Sequence, residues 1–272
     1  MSLITISGGK GCGAERVARL IAEATDLDLY DDRRLQQEAV KLGFQSEELK
    51  NLGEKAPGFL DVLRGRRPEV YLDLMESLIY GVSRTGQGVI FGHGSQFLLR
   101  DFGCALHVLI HASQPYRIKQ MMDRQGLSRR AAEKMIIKDD HDRRGFLRFA
   151  FRLEFADPSL YDLVVNTEKF GIEGAANLVV DALKSQAIQE CSLHALDSME
   201  KMSLMKKVEA ALLKENYSLT QFHVEVPEKG VAQIFGYANT AETKKHMLET
   251  ARQVPGVSKI MDELGVLPPG AF

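Results

Sequence analysis

The residues best suited to chemistry form a loop near the amino terminus, residues 8–13 (GGKGCG), in which four of six positions are glycine. Glycine lets a backbone approach an anion closely, and a helix that follows presents free N–H groups with partial positive charge. Gly8 and Gly13 have the spacing of the phosphate-binding motif GxxxxGK[ST], but Ala14 takes the lysine position and Glu15 the serine or threonine position. Phosphate binding is therefore expected without the two usual side-chain functions, and a strand-to-helix turn that needs glycine only for packing is the alternative.

Two cations lie close enough in sequence to replace the missing lysine. Lys10 is inside the loop, and Arg16 follows one helical turn later. The candidates for phosphate contact are Gly8, Gly9, Lys10, Gly11, Cys12, Gly13, Ala14 and Arg16.

A basic segment lies further along a chain that is slightly acidic as a whole. Residues 116–152 hold 11 Lys and Arg against 5 Asp and Glu, a local charge of +6. Because the net charge of the chain is −2, the remaining residues carry a charge of −8. This concentration predicts an anion site, and a solvated basic helix face is the alternative. The net charge itself argues against a nucleic-acid-binding protein that is basic throughout.

Length and cysteine content limit the protein class. A chain of 272 residues predicts about two domains. Cys12, Cys104 and Cys191 are an odd number without paired spacing, which excludes a disulfide scaffold or zinc ribbon and favours a reducing compartment. No secretory signal pattern and no apolar run of membrane-spanning length is present, so a cytoplasmic protein is expected.

The elements around the loop predict an α/β fold. Residues Leu3–Ser7 are an unbroken apolar and β-branched run, as in a parallel strand that is buried on both faces. Strands and helices then alternate to residue 188, which predicts a parallel sheet with helices on both faces. The weakly patterned stretch Ser46–Pro68 is expected to be loop or short helices.

A second, smaller domain is expected after a linker at residues 189–203. The pattern over residues 204–268 is helix, two strands of a hairpin, helix and final strand, a small α+β (αββαβ) unit. The helix Leu204–Leu213, with methionines nearby, could provide a homodimer contact, although packing in the domain's own core is the stronger interpretation.

The first domain resembles the cytidylate-kinase-like family, a branch of the P-loop nucleoside monophosphate kinases. The resemblance covers about residues 1–188, in the family's order. It rests on the segments ITISGGKGCGAERVARLIAEATDLDLYDD, GVIFGHGSQFLLRD, ALHVLIHASQPYRIKQMM, DDHDRRGFLRF and YDLVVNTEKFGIEGAANLVVDAL. It implies a P-loop kinase-like fold, ATP and Mg²⁺ as cofactors, and transfer of a phosphoryl group to a nucleoside monophosphate such as CMP. We identify no protein side chain as a metal ligand.

The resemblance also assigns roles to side chains. Acidic residues at a strand end in this class lie near the acceptor nucleotide, which implies Asp31 or Asp32 here. A Gly-Arg-Gly turn normally offers an arginine to the acceptor phosphate, but His93 takes the arginine's place, and a histidine that is only hydrogen-bonded is the alternative. Lid arginines that clamp the transferring phosphoryl group correspond to Arg117, Arg143 and Arg144, oriented by Asp140, with Arg148 and Arg152 as further candidates. The lid phenylalanines, expected mainly to pack the lid down, are Phe146, Phe149, Phe151 and Phe155.

The second domain is similar to a BON domain on the segment VAQIFGYANTAETKKHMLETARQVPGVSKIMDELGV. That resemblance implies binding of a lipid, a small ligand or a protein partner. Three functions are therefore weighed: a nucleotide kinase, a catalytically degenerate kinase-like regulator whose BON-like domain reads out the bound nucleotide, and a scaffold. The departures at Ala14 and His93 favour the second alternative, and the ordered kinase resemblance favours the first. No nucleic-acid partner is expected.

Overall fold

The computed structural model describes residues 2–41, 68–103, 105–186 and 193–267. Nearly all of the expected loop at Ser46–Pro68, together with Cys104 and Cys191, lies outside the described residues. The chain divides by its internal contacts into two compact units. Among described residues, the first unit holds 2–37 and 85–186, with 193–195, and the second holds 38–41, 68–84 and 196–267.

Strands and helices follow one another along residues 2–182. Their bounds are β1 Ser2–Gly8, α1 Ala14–Thr25, β2 Leu29–Tyr30, α2 Asp32–Lys41, α3 Pro68–Ser83, β3 Gln87–Phe91, α4 Ser95–Leu98, β4 Ala105–His111, α5 Gln114–Gln125, α6 Arg129–Phe151, β5 Leu163–Asn166 and α7 Thr167–Ala182. The later elements are α8 Leu193–Lys214, β6 Phe222–Glu228, β7 Val231–Ala238, α9 Ala241–Arg252 and β8 Lys259–Val266.

The first unit is built on a parallel five-stranded sheet with the order β2-β3-β1-β4-β5. Ile4 and Ile6 of β1 pack with the apolar faces of α1 and α7 on one side of the sheet. Leu3 and Thr5, which alternate with them, are also fully buried, so the central strand is covered on both faces as its sequence predicts. The expected α/β fold is confirmed.

Helix starts in this unit follow local side-chain chemistry. Ser113 caps α5 by accepting a hydrogen bond from the Tyr116 N–H at 3.4 Å, with proline in the first turn. Ser128 caps α6 by accepting from the Ala131 N–H at 3.3 Å. These caps fix where the two helices of the basic segment begin.

The second unit has a three-stranded sheet in which β7 pairs antiparallel with β6 and parallel with β8. The expected order α-β-β-α-β is present. Helix α3 belongs by its contacts to this second unit, although its residues lie within the expected first domain, 1–188. The contact is specific, because the Ser77 hydroxyl donates to the Ser203 carbonyl at 2.8 Å and the Ser203 hydroxyl donates to the Ser77 carbonyl at 2.8 Å.

The expected linker at 189–203 is helical from Leu193 onward, as part of α8. Buried residues lie on several sides of α8, among them Met199, Ser203 and Glu209. A helix that packs on more than one side lacks a single apolar stripe, and its period is therefore hidden in the sequence.

A buried acidic cluster joins α3 to α8 within the second unit. Lys206 Nζ lies 3.1 Å from Asp73 Oδ1, 3.1 Å from Glu76 Oε2 and 3.0 Å from Glu209 Oε2. Three carboxylates therefore share one ammonium group. Burial raises the pKa of Asp73 to about 7, although Lys206 opposes the shift. No helix among the described residues is both long and apolar enough to cross a membrane.

Candidate functional site

The glycine loop leaves no room for side chains where it passes between β1 and α1. A Cβ on Gly8 would lie 2.7 Å from the Ile110 carbonyl oxygen and 2.8 Å from the sulfur of Cys12. Gly13 has φ +87° and directly precedes α1, where it serves as the N-cap without a side-chain hydrogen bond. The loop therefore delivers its backbone to the amino terminus of α1, whose first N–H groups have no partner within the helix.

Arg117 brings a guanidinium group directly onto this loop from α5. Its Nη1 and Nη2 donate to Asp140 Oδ2 and Oδ1 at 2.9 and 2.7 Å, and its Nε donates to the Lys10 carbonyl at 2.7 Å. A Cβ on Gly9 would lie only 2.7 Å from Arg117 Nη2. The loop that lacks the motif lysine thus has a cation of another element lying against it.

Asp139 is a second carboxylate of α6 at the loop, and sequence analysis did not select it. Its Oδ2 accepts from the Lys10 N–H at 3.2 Å, and its Oδ1 lies 3.7 Å from Lys10 Nζ. Arg143 Nη2 lies 3.8 Å from Asp139 Oδ2, one helical turn away. The neighbouring pair of aspartates in the sequence was the available signal, because both residues reach the loop from the middle of α6.

Arg143 and Arg144 complete the cationic wall. The Arg143 side chain is only 13% exposed, and its guanidinium carbon lies 5.4 Å from the centre of the Phe155 ring. Arg144 Nε donates to the Asp140 carbonyl at 3.1 Å. The ring holds one arginine in an environment poor in water, where its charge acts more strongly than at the surface.

These groups surround one cavity of about 460 Å³ within the first unit. It lies at the carboxyl ends of β1 and β4, where ligands bind in open α/β sheets. The expected site residues that line it are Gly9, Cys12, Arg117, Asp140, Arg143 and Arg144. The expected clamp arginines are therefore brought together with the loop.

Thr167 fixes the loop from the other side, and sequence analysis did not select this residue either. Its hydroxyl is fully buried at the start of α7 and lies 2.6 Å from the Cys12 carbonyl and 3.2 Å from the His111 carbonyl. A hydroxyl directly after a strand was the only signal. Thr167 ties the loop to the end of β4 and so positions the cavity wall.

Cys12 contributes backbone rather than a reactive sulfur. Its side chain is 1% exposed, and burial raises the pKa of the thiol. A raised pKa keeps the thiol protonated near neutral pH, and a protonated thiol is a poor nucleophile. The cavity therefore offers cations and N–H groups, which suit anion binding, and no activated nucleophile at this position.

The expected acceptor residues are not among those that line this cavity, although Arg143 is close enough to assist His93 in lowering the pKa of Asp32. His93 Nε2 lies 2.8 Å from Asp32 Oδ1, with the histidine side chain 4% exposed and the aspartate side chain 75% exposed. The hydrogen bond from His93 is the main reason that the pKa of Asp32 is lowered. Asp31 accepts from the Arg34 N–H at 2.9 Å and so caps α2.

The remaining expected cations lie outside the cavity lining. Arg16 Nη2 lies 3.9 Å from Glu173 Oε1 at the surface, and Arg148 Nε donates to Glu154 at 2.7 Å. Arg152 has φ +55° and ends α6 as its C-cap. These three side chains are not among those that line the cavity.

The lid phenylalanines divide between packing and the cavity. Phe146 is fully buried, and Phe151 packs 5.4 Å from the Phe97 ring and against Gly94, where a Cβ would lie 2.6 Å from the Phe151 ring. Phe149 is 43% exposed, whereas Phe155 lines the cavity. The expected packing role holds for Phe146 and Phe151.

No set of three metal-ligating side chains occurs in the described part of the chain. Glu15, which stands where the motif would place the Mg²⁺-binding hydroxyl, lies 3.4 Å from Arg19 on the surface of α1. Mg²⁺ usually keeps several waters and binds through one or two carboxylates and the phosphates of its substrate. The residues present fit the phosphates more directly than the metal.

Comparison with known proteins agrees with the parallel sheet and its glycine loop. The sequence profile of the cytidylate kinase-like family matches residues 3–169. The chain belongs to the cytidylate kinase-like family. Its relatives include a cytidylate kinase of Staphylothermus marinus, 24% identical over 181 residues that make up 66% of this chain and 94% of the relative.

Two further similarities have the same extent. A cytidylate kinase of Pyrobaculum islandicum is 26% identical over 183 residues, which cover 66% of this chain and 92% of the relative. The crystal structure of an uncharacterised protein from Eubacterium ventriosum superposes with a TM-score of 0.53 at 19% identity, covering 68% of this chain and all of that chain. That structure shows a shared fold. The protein is thus a nucleotide kinase-like member of this family with a further C-terminal unit.

Proposed function

We propose that this protein transfers the γ-phosphoryl group of ATP to a nucleoside monophosphate such as CMP. The observation that carries the proposal is the cavity at the glycine loop, where Arg117, Arg143 and Arg144 converge. Catalysis of phosphoryl transfer depends almost entirely on positioning and on neutralising negative charge. A site built from backbone N–H groups and three guanidinium groups fits that requirement.

The loop fits the phosphates of a nucleoside triphosphate. A Cβ on Gly8, Gly9 or Gly11 would clash with neighbouring protein atoms, so the loop keeps this close course only with glycine. We expect a phosphate to bind the bare backbone of this turn. When bound, ATP supplies the phosphoryl group and Mg²⁺ neutralises charge on its phosphate oxygens. Residues 8–14 would hold the phosphates, with Arg117 in place of the lysine that the motif lacks.

The carboxylates of α6 orient the cations before a nucleotide binds. Asp140 holds the Arg117 guanidinium by two parallel hydrogen bonds, and Asp139 holds the Lys10 ammonium group and lies close to Arg143. A cation that is already oriented costs no reorganisation when charge develops on the transferring group. Asp140 is therefore proposed as a positioning residue for Arg117.

Asp32 is the proposed contact with the acceptor, and His93 acts through it. The Asp32 carboxylate is exposed and stays ionised, because the hydrogen bond from His93 lowers its pKa. An ionised carboxylate accepts hydrogen bonds from a base or sugar and repels a phosphate. His93, which is almost fully buried, supports Asp32 rather than replacing the arginine expected in the family's turn.

A coupled assay of ADP release with CMP, dCMP and UMP tests the proposal. We expect turnover with at least one of these acceptors, and Arg143→Gln should lower kcat/KM about 10²–10³-fold, as removal of one preorganised donor does. Arg19→Gln is the matched control, because Arg19 is exposed and its ion pair among the described residues is with Glu15 on the same helix. Clear ATP binding without turnover of any acceptor would refute catalysis.

A nucleotide-binding regulator is the second candidate, favoured by Ala14 and by the carboxylates that already hold Lys10 and Arg117. In this alternative the C-terminal unit is BON-like, an assignment supported by its αββαβ order, and binds a lipid, a small ligand or a partner protein, including a second copy. Both candidates imply a cytoplasmic location, because both bind ATP. Calorimetry with ATP separates them from a scaffold, which would bind no nucleotide.

A further inference from the structure

A second cavity, of about 100 Å³, lies entirely within the C-terminal unit. It is bordered by the end of α3, by α8, by the turn between β6 and β7 and by the turn before β8. A water molecule takes up about 30 Å³ of liquid, so the cavity holds a few waters and has the size of one small polar group rather than of a nucleotide. Four cationic side chains line it: Arg84, Lys201, Lys207 and Lys229.

Two of these cations are already neutralised by carboxylates. Lys229 Nζ lies 2.6 Å from Glu200 Oε2 and 3.5 Å from Asp197 Oδ1. Lys201 Nζ lies 2.9 Å from Asp197 Oδ2. Their charges are satisfied within the protein, and these two lysines are not the basis of an anion site.

Lys207 and Arg84 carry the surplus charge. Among the described residues, no carboxylate forms an ion pair with Lys207, and burial together with the nearby charge of Arg84 lowers the pKa of Lys207. The preceding residue, Lys206, is shared by three carboxylates on its own side of α8. Two like charges beside a partly enclosed cavity are costly unless an anion joins them.

Glycines shape the wall opposite these cations. Gly256 has φ +102°, and a Cβ there would lie 3.3 Å from Leu204 Cδ1. Gly230 has φ +76°, and its carbonyl accepts from the Ser258 and Lys259 N–H groups at 2.8 and 3.1 Å. Gly256 thus brings its turn close to α8, and Gly230 holds the β6–β7 turn against the turn before β8, so a larger residue at either position would disturb the small cavity.

We propose that this cavity binds one phosphate group through Lys207 and Arg84. The group would belong either to a small phosphorylated molecule or to a phospholipid headgroup, which present the same chemistry. The site is separate from the glycine loop, since every lining residue belongs to the C-terminal unit. It would give that unit a ligand of its own.

Titration of the full chain with inorganic phosphate, followed by amide NMR, tests the proposal. We expect saturable shifts of the Gly230 and Gly256 amides. Lys207→Gln should weaken this binding about tenfold, which corresponds to about 1.4 kcal/mol, and the exposed Arg84→Gln should also weaken it. Lys201→Gln is the matched control from the same helix, and we expect less than about a twofold change because that lysine is already paired.

The glycine loop provides an internal check in the same spectra. The Gly9 amide reports phosphate binding at the first site, and unchanged amide positions in β6 and β7 of Lys207→Gln show that the C-terminal unit is folded. Sedimentation with vesicles of phosphatidylcholine, with and without phosphatidic acid, distinguishes the sources: Lys207-dependent binding to acidic vesicles indicates a headgroup, and its absence beside saturable phosphate shifts indicates a small molecule. Unchanged Gly230 and Gly256 amides with both probes, or equal responses in Lys207→Gln, would overturn the proposal.

Discussion

Replacing Arg117 by methionine separates the charge of this side chain from its packing. Methionine keeps much of the apolar stem but removes two hydrogen bonds to Asp140, at 2.7 and 2.9 Å, and one to the Lys10 carbonyl at 2.7 Å. Arg117→Lys keeps the charge and loses the two-pronged geometry, because an ammonium group cannot match both carboxylate oxygens in one plane. The two variants therefore report on charge and on geometry separately.

The expected effect on stability is smaller than the effect on catalysis. Hydrogen bonds to charged groups contribute about 1.5–3 kcal/mol when buried. The Asp140 side chain is 32% exposed and regains water once its partner is lost, so we expect Arg117→Met to cost about 1–2 kcal/mol of folding free energy. Loss of one preorganised cation at the phosphates should lower kcat/KM about 10²–10³-fold, or about 2.7–4 kcal/mol.

Steady-state turnover and thermal unfolding, measured on the same samples, check this difference. Arg117→Lys should lie between the wild type and Arg117→Met in kcat/KM. Arg117→Met and Asp140→Asn should be non-additive, with a coupling of about 0.5–3 kcal/mol for residues in direct contact. If Arg117→Met stays folded and keeps kcat/KM within about threefold of the wild type, the cation at the loop is not part of the site.

Three further outcomes follow from local contacts. Because the pKa of Asp73 is raised to about 7, the stability that this group contributes is full at acid pH and is lost as pH rises from about 4 to 7. Asp73→Asn should reduce this fall of stability with pH. It should also raise the unfolding temperature at pH 8, because fewer carboxylates then share Lys206. Thr167→Val should lower the free energy of unfolding by about 1–3 kcal/mol in denaturant melts, since the buried Cys12 carbonyl loses its donor. Gly11→Ala should weaken ATP binding in calorimetry, because φ is +86° and the new Cβ would lie 2.8 Å from a carbonyl oxygen of α5.

Patterns that depend on one local rule predicted most of the fold. The unbroken apolar run of β1 and the glycines after it each favour one local structure, and the structure agrees with them. The extent of α8 was missed because its buried residues lie on several sides, which removes the periodic signal. The grouping of α3 with the second unit is supported by two serine hydrogen bonds across 126 positions and by the Lys206 cluster, and no spacing rule predicts such pairs.

The sequence predicted the cations of the candidate site, but it did not predict the hydrogen bonds and ion pairs that hold them at the loop. Charge and family resemblance selected Arg117, Arg143 and Arg144, and all three line the cavity. Asp139 and Thr167 were missed, since their importance depends on which backbone groups they meet at the loop. Residue type indicates what a side chain can do, whereas its partner is decided by tertiary contacts between distant segments.

Three cations of the basic segment, Arg117, Arg143 and Arg144, line the cavity, whereas most of the others are exposed, as a solvated helix face predicts. Helix α6 supplies both Asp139 and Asp140 to the loop, and these residues hold Lys10 and Arg117 by ion pairs rather than by apolar packing. Contacts of this kind weaken with salt. Under the proposed function, a nucleotide that binds at the loop would add phosphate contacts to cations that the carboxylates already hold in place. We therefore propose that Arg117 of α5 takes over the role of the lysine absent from position 14, and that Asp140 of α6 keeps this arginine at the loop.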